Sequence, residues 1–225
     1  METIKQRYQA LLDLMKRGSR AKEIEAFVRF LENETEWLTA PASTRYHLSK
    51  EGGLLEHSVG VAETLLKIGN LLLGDSISKE SLALVGLWHD VGKAIGQISG
   101  EPKPYYVPND NEYMVKLRGI PYRVNPEAVA MGTALRSLYL VAKFIPLKDH
   151  EAQSIAYHDG NYVSGYVIAH RECPLCLLLH FADGWHAAIN EEGRVVDKSE
   201  GYFYGINKPR KGGNDEPDKA EKQDC

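Results

Sequence analysis

The run Leu82-Ala83-Leu84-Val85-Gly86-Leu87-Trp88 leads without interruption into His89-Asp90, and no other stretch constrains the fold as tightly. A segment this apolar is buried on all sides, which makes it an interior element of a packed domain. Ending it with two ionisable residues draws both toward the core, where a carboxylate without a partner costs several kcal/mol. Such a group is paired or metal-bound. Neighbouring imidazole and carboxylate can offer a nitrogen and an oxygen to one divalent cation, so metal binding is the first reading to test.

The surrounding pattern is helical nearly throughout. An amphipathic segment covers about Ile4 to Met15 and stops at Gly18-Ser19. Ser19 to about Leu31 continues with Ile24, Phe27, Val28 and Leu31 at helical spacing. After an irregular stretch from Thr39 to His47, Gly52-Gly53 opens a long apolar helix to about Leu73, and Gly74-Asp75 breaks it. Ser78 is placed to cap the helix that ends near His89-Asp90. From Gly96 to Pro126 the periodicity dissolves among Pro102, Pro104, Pro108 and Pro121. Loops of that length in a compact domain are often lids or substrate walls. A short hairpin is expected within residues 100–123, through Tyr113–Tyr122.

Asn125-Pro126 reads as a cap and first helical residue, with the helix running to about Phe144. A shorter helix follows Leu147 and ends near His158-Asp159-Gly160, and Pro174 opens the last one, to about Ile189. The expected fold is an all-α bundle. Residues 1–45 supply N-terminal helices packed on a principal domain at 46–190. An extension follows at 191–207, where Tyr202-Phe203-Tyr204 could pack back, and Lys208 to Cys225 reads as a disordered polar tail. No internal repeat is visible.

Composition narrows the class. With 225 residues, 43% hydrophobic and 26% charged, the chain matches an ordinary globular protein with a sizeable core. A net charge of -4 argues against a general nucleic-acid-coating protein, which would carry a basic surplus. No apolar run reaches the roughly 18 residues of a membrane span, and the N-terminus lacks a signal-peptide core. A cytoplasmic location with no membrane partner is expected. The three cysteines do not suit a secreted disulfide framework. Cys173 and Cys176 form a lone C-x-x-C, read as buried structural thiols.

Two more helices carry ionisable groups in apolar settings: His57 in Gly53-Leu54-Leu55-Glu56-His57-Ser58-Val59, and Asp183 in His180-Phe181-Ala182-Asp183. One cation would satisfy all of these groups. Mixed imidazole and carboxylate ligation suits Mn, Fe, Co, Ni or Zn, and suits Mg less.

The ordered set His57, His89-Asp90, Asp183, with its local contexts, resembles the H…HD…D signature of the HD-domain metal-dependent phosphohydrolases. The resemblance covers about Tyr46 to Ile189 and implies an all-α fold of five or more helices. It also implies that His57, His89, Asp90 and Asp183 ligate one cation. Some members add a second metal through further histidines. His158 matches one of these, while Met131-Gly132-Thr133-Ala134-Leu135-Arg136 lacks the other. One firmly held metal is therefore expected, with His158 lining the substrate pocket or serving a weaker second ion.

Lys93, one turn beyond Asp90, either meets a substrate phosphate or is a solvated helix-terminal lysine. Arg45 and His47 are candidates for substrate contact, against a surface reading. Glu56 is expected to face solvent. His180 and His186, each three residues from Asp183, are expected to pack, with an outer hydrogen bond to a ligand as the alternative. The loop residues Lys103, Tyr105, Tyr106, Lys116, Arg118, Tyr122 and Arg123 could bind a nucleotide by stacking and phosphate pairing.

These readings converge on a metal-dependent phosphomonoesterase or phosphodiesterase for a small phosphorylated substrate, with nucleotides favoured. Asp90 and Lys93 would contribute most directly to the chemistry. Two alternatives stand beside it: an HD-type nuclease on single-stranded RNA or DNA, and a non-catalytic nucleotide-sensing module. Sequence leaves the oligomeric state open.

Overall fold

Thr3 closes a capping box with Gln6 and starts helix α1, Ile4–Met15, whose inner face buries Tyr8, Leu11, Leu12 and Met15. The computed structural model describes residues 3–160 and 165–191, with the strand backbones at 195–197 and 202–204. Helix α2, Ala21–Glu34, buries Ile24, Phe27, Val28 and Leu31, the spacing that marked it as amphipathic. Helix α3, Gly53–Leu73, and helix α4, Lys79–Trp88, form the central pair. Every residue of α4 from Ser81 to Trp88 is buried, and α4 touches α1, α3 and two later helices, at Asp149–Tyr157 and Pro174–Trp185. Ser78 caps α4 by accepting the Ser81 amide at 3.1 Å. Phe27 meets Trp88 edge-on, with ring centroids 4.9 Å apart, which ties α2 to the end of α4.

Three helices complete the bundle: α6, Thr133–Ala142; α7, Asp149–Tyr157; and α8, Pro174–Trp185. Among the described residues the fold is all-α apart from two small antiparallel strand pairs. Strand β1, Tyr106–Pro108, pairs with β2, Tyr122–Val124, and the backbone of β3, Val195–Asp197, pairs with β4, Tyr202–Tyr204. No helix of the described residues is long and apolar enough to cross a membrane.

The segment between α4 and α6 departs from expectation in two ways. Its hairpin exists, but the strands bracket the expected span and share only Tyr122 with it, and the tip is a helix, α5, Glu112–Arg118. Asn111 caps that helix by accepting the Met114 amide, and left-handed Gly119 ends it. Asn125 does not start a helix. Its side chain accepts the Glu127 amide and donates to the Pro104 carbonyl, so the turn signal is spent in the loop and α6 begins at Thr133. The side-chain packing of Tyr202-Phe203-Tyr204 and the tail from Lys208, with Cys225, lie outside the described residues.

Two buried arginines staple the periphery. Arg20, at the start of α2, makes a two-pronged pair with Glu151 of α7 at 2.7 and 2.8 Å and a third bond to Glu80 of α4 at 2.7 Å. Arg136 of α6 donates to the carbonyls of Gly96, Val129 and Met131 at 2.7, 2.5 and 3.3 Å, and lies over the Tyr105 ring. The first staple joins the N-terminal helices to the far side of the bundle; the second gathers both ends of the 96–131 loop.

Candidate metal centre

The close crossing of α3 and α4 sets the site. A Cβ on Gly86 would lie 2.6 Å from the Ala62 Cα, so only glycine allows the two backbones to approach this closely. His57 projects from α3 into that crossing, and His89 caps the C-terminus of α4 with its amide on the Val85 carbonyl. Asp90 then turns the chain out of the helix into a 3-10 turn, Val91–Ala94. Gly92 fixes that turn against α6, its amide donating to Ser137 Oγ at 2.9 Å. Asp183 arrives from α8, and His158 from the end of α7.

The imidazole nitrogens divide into two sets. His89 Nδ1 lies 2.9 Å from the Gly86 carbonyl, and His158 Nδ1 lies 2.9 Å from the Ile155 carbonyl. His57 Nδ1 lies 2.8 Å from Glu191 Oε1. Each of these oxygens accepts an N–H, so Nε2 is the nitrogen that carries a lone pair in the neutral ring. All three Nε2 atoms converge. His57 Nε2 is 3.3 Å from His89 Nε2, 3.2 Å from Asp183 Oδ1 and 3.8 Å from Asp90 Oδ2. His89 Nε2 is 3.7 Å from Asp90 Oδ2 and 3.8 Å from Asp183 Oδ1. His158 Nε2 stands 3.6 Å from Asp90 Oδ1. Ligand atoms bonded to one cation at about 2.1 Å are about 3.0–3.4 Å apart, so small inward shifts would close this cluster around an ion.

The groups His57–His89–Asp90 and His89–His158–Asp183 each could hold a metal ion. His57, His89, Asp90 and His158 are buried, whereas the Asp183 side chain keeps 23% of its surface exposed. The cluster therefore opens on the α8 side.

Charge distribution within the cluster is uneven. Burial works against the His57 cation, but bonds to Asp183 and Glu191 overcome it and raise the pKa to about 9. His158 also rises to about 9, with Asp90 overcoming its burial. His89 goes the other way, to about 4, because burial outweighs the neighbouring carboxylates. Burial opposes ionisation of Asp90 and Asp183 as well, yet Lys93 and the histidines hold both carboxyls well below the usual range.

Lys93 Nζ sits 2.5 Å from Asp90 Oδ2 with little of its side chain exposed. Burial pushes the Tyr106 phenol up to about 12, partly offset by the Lys93 ammonium, which puts the β1 edge of the long loop beside the site. His47 joins the His57 side, its ring centroid 4.8 Å away. Arg45 is not drawn in: it is exposed and bonds the Tyr46 hydroxyl. Glu56 is half-buried and pairs with Lys50 on the solvent side. His180 donates from Nδ1 to the His158 carbonyl at 2.7 Å, so it supports a cluster residue through the backbone.

Glu191 escaped the sequence reading. It stands in a polar stretch beyond the last apolar position, and nothing local marks it. A π-helical turn, His186–Glu191, follows α8 and swings it onto His57 and His47. No protein-family model, curated protein or solved structure matches this chain.

Proposed function

We propose that this chain is a metal-dependent phosphohydrolase of the HD type, cleaving a phosphomonoester or phosphodiester, with nucleotides the first class to test. The observation that carries the reading is the set of three buried imidazoles, each tied at Nδ1 and converging at Nε2 on two ionised carboxylates. That is the arrangement of metal-binding histidines whose outer partners fix tautomer and orientation.

In this reading His57, His89, Asp90 and Asp183 hold one cation of the Mn, Fe, Co, Ni or Zn group. Bound there, the cation would lower the pKa of a coordinated water toward neutrality and polarise a phosphoryl oxygen. The chain's own groups supply the rest. Lys93 neutralises Asp90 in the metal-free protein and, with Asp90 engaged elsewhere, turns its ammonium toward a phosphate. Tyr106 and the long loop wall that side, and the accessible Asp183 edge admits substrate. His158, on Asp90, lines the pocket or takes part in a weaker second ion site.

The purified protein should hydrolyse members of a phosphorylated-metabolite panel, lose that activity to a chelator and regain it with Mn2+ or Co2+. Asp90→Ala should lower metal content and activity by more than the ~10–100-fold that loss of an outer partner costs. Full metal content and full activity in Asp90→Ala would end the proposal. Cleavage of single-stranded RNA or DNA in preference to mononucleotides would make it a nuclease. Tight nucleotide binding without turnover under any metal would make it a sensing module.

A further inference from the structure

Three histidines converge on a carboxylate outside the expected ligand set. Glu191 Oε2 accepts from His47 Nδ1 at 2.6 Å, and Oε1 accepts from His57 Nδ1 at 2.8 Å with His186 Nε2 at 3.3 Å. The Glu191 side chain is only 4% exposed. The four residues come from the loop before α3, from α3, and from the π-helical turn after α8. Space for this meeting is reserved in the sequence, because a Cβ on Gly60 would fall 1.9 Å from His186 Nε2.

We propose that Glu191 is a positioning residue for the cation site, holding His57 as the Nδ1–H tautomer so that its Nε2 lone pair faces His89 and Asp183. This rests on the metal-binding reading above. His89 and His158 give their Nδ1 protons to backbone carbonyls, whereas His57 gives its proton to a full negative charge. An anionic acceptor makes the opposite nitrogen a stronger donor and adds a charge near the cation without occupying its coordination sphere. His47 holds the other carboxylate oxygen and His186 stands beside Oε1 at ion-pair distance, which keeps the carboxylate turned away from the ligand cluster. The His47–His57–Glu191 atoms could also surround an ion, but their N···O separations of 2.6 and 2.8 Å are those of direct hydrogen bonds, the contacts a positioning role requires.

The test uses the full chain with Zn2+, a diamagnetic probe, comparing wild type, Glu191→Ala and the near-isosteric Glu191→Gln. Calorimetry should show Zn2+ affinity about 10–100-fold weaker in Glu191→Ala, and weakened to a lesser degree in Glu191→Gln. Imidazole nitrogen NMR of the Zn2+-loaded wild type should show His57 protonated at Nδ1, with that proton downfield and slow to exchange. The same proton should move upfield and exchange faster in Glu191→Gln. Affinities within twofold of wild type in both variants would overturn the proposal. So would a wild-type His57 that binds Zn2+ through Nδ1, a result independent of whether either variant folds. A wild type that binds no Zn2+, Mn2+ or Co2+ would instead overturn the metal-binding reading underneath.

Discussion

In the metal-free protein the His57 proton pair lies between two carboxylates, Glu191 at Nδ1 and Asp183 at Nε2, which is why a fully buried imidazole stays cationic up to about pH 9. A pKa raised above its unfolded value stabilises the fold fully below the unfolded value, near 6.5, and that contribution disappears as pH climbs through 9. A cation needs the Nε2 lone pair and must expel its proton. Cation affinity should therefore rise with pH up to about 9, and uptake at pH 7.5 should release at least the one His57 proton. His89, whose pKa falls to about 4, has none to release. Calorimetry in buffers of different ionisation enthalpy reads this directly; a heat of binding independent of buffer would contradict it.

Among the elements, α3 and α4 do most to build the site, and their contact depends on the missing side chain at position 86. Gly86→Ala should force the two helices apart at Ala62 and cost about 1–3 kcal/mol by overpacking. For a chain of this size that lowers the thermal midpoint by about 2–4 °C per kcal/mol. Because the Gly86 carbonyl also orients His89, Zn2+ affinity should fall with it. These two helices were legible in the sequence because apolar runs and caps are local signals: Gly52-Gly53, Gly74 and Ser78 bound them as expected. The His57, His89-Asp90 and Asp183 positions were legible for a similar reason, since an ionisable residue in an apolar helix is conspicuous. Glu191 and Arg136 were not. A glutamate in a polar stretch and an arginine in α6 look like surface residues until tertiary contacts bury them. Asn125 misled because the same cap chemistry serves a turn or a helix, and contact with Pro104 decides between them.

Across the whole molecule, two stapled regions should respond independently. Glu151 sits fully buried on Arg20, and breaking such a pair from one side costs about 3–5 kcal/mol, so Glu151→Gln should be severely destabilising in chemical denaturation. Burial opposes its ionisation, but Arg20 and its neighbours hold its pKa below the ordinary value of 4.5. Its stabilisation is thus complete above about pH 4.5 and lost as pH falls through the depressed folded value. Arg136→Met should leave three loop carbonyls short of donors, at about 1–3 kcal/mol for each one left dry. Hydrogen exchange should then quicken across residues 96–131 while α1 and α2 stay protected; uniform protection would refute the clamp. The π-helical turn has a different reach. It places the orienting carboxylate on the same unbroken helical rod as Asp183. A chain shortened to Trp185 would keep all four proposed ligands yet hold its cation loosely. Two proteins with identical quartets could differ manyfold in metal retention through residue 191 alone.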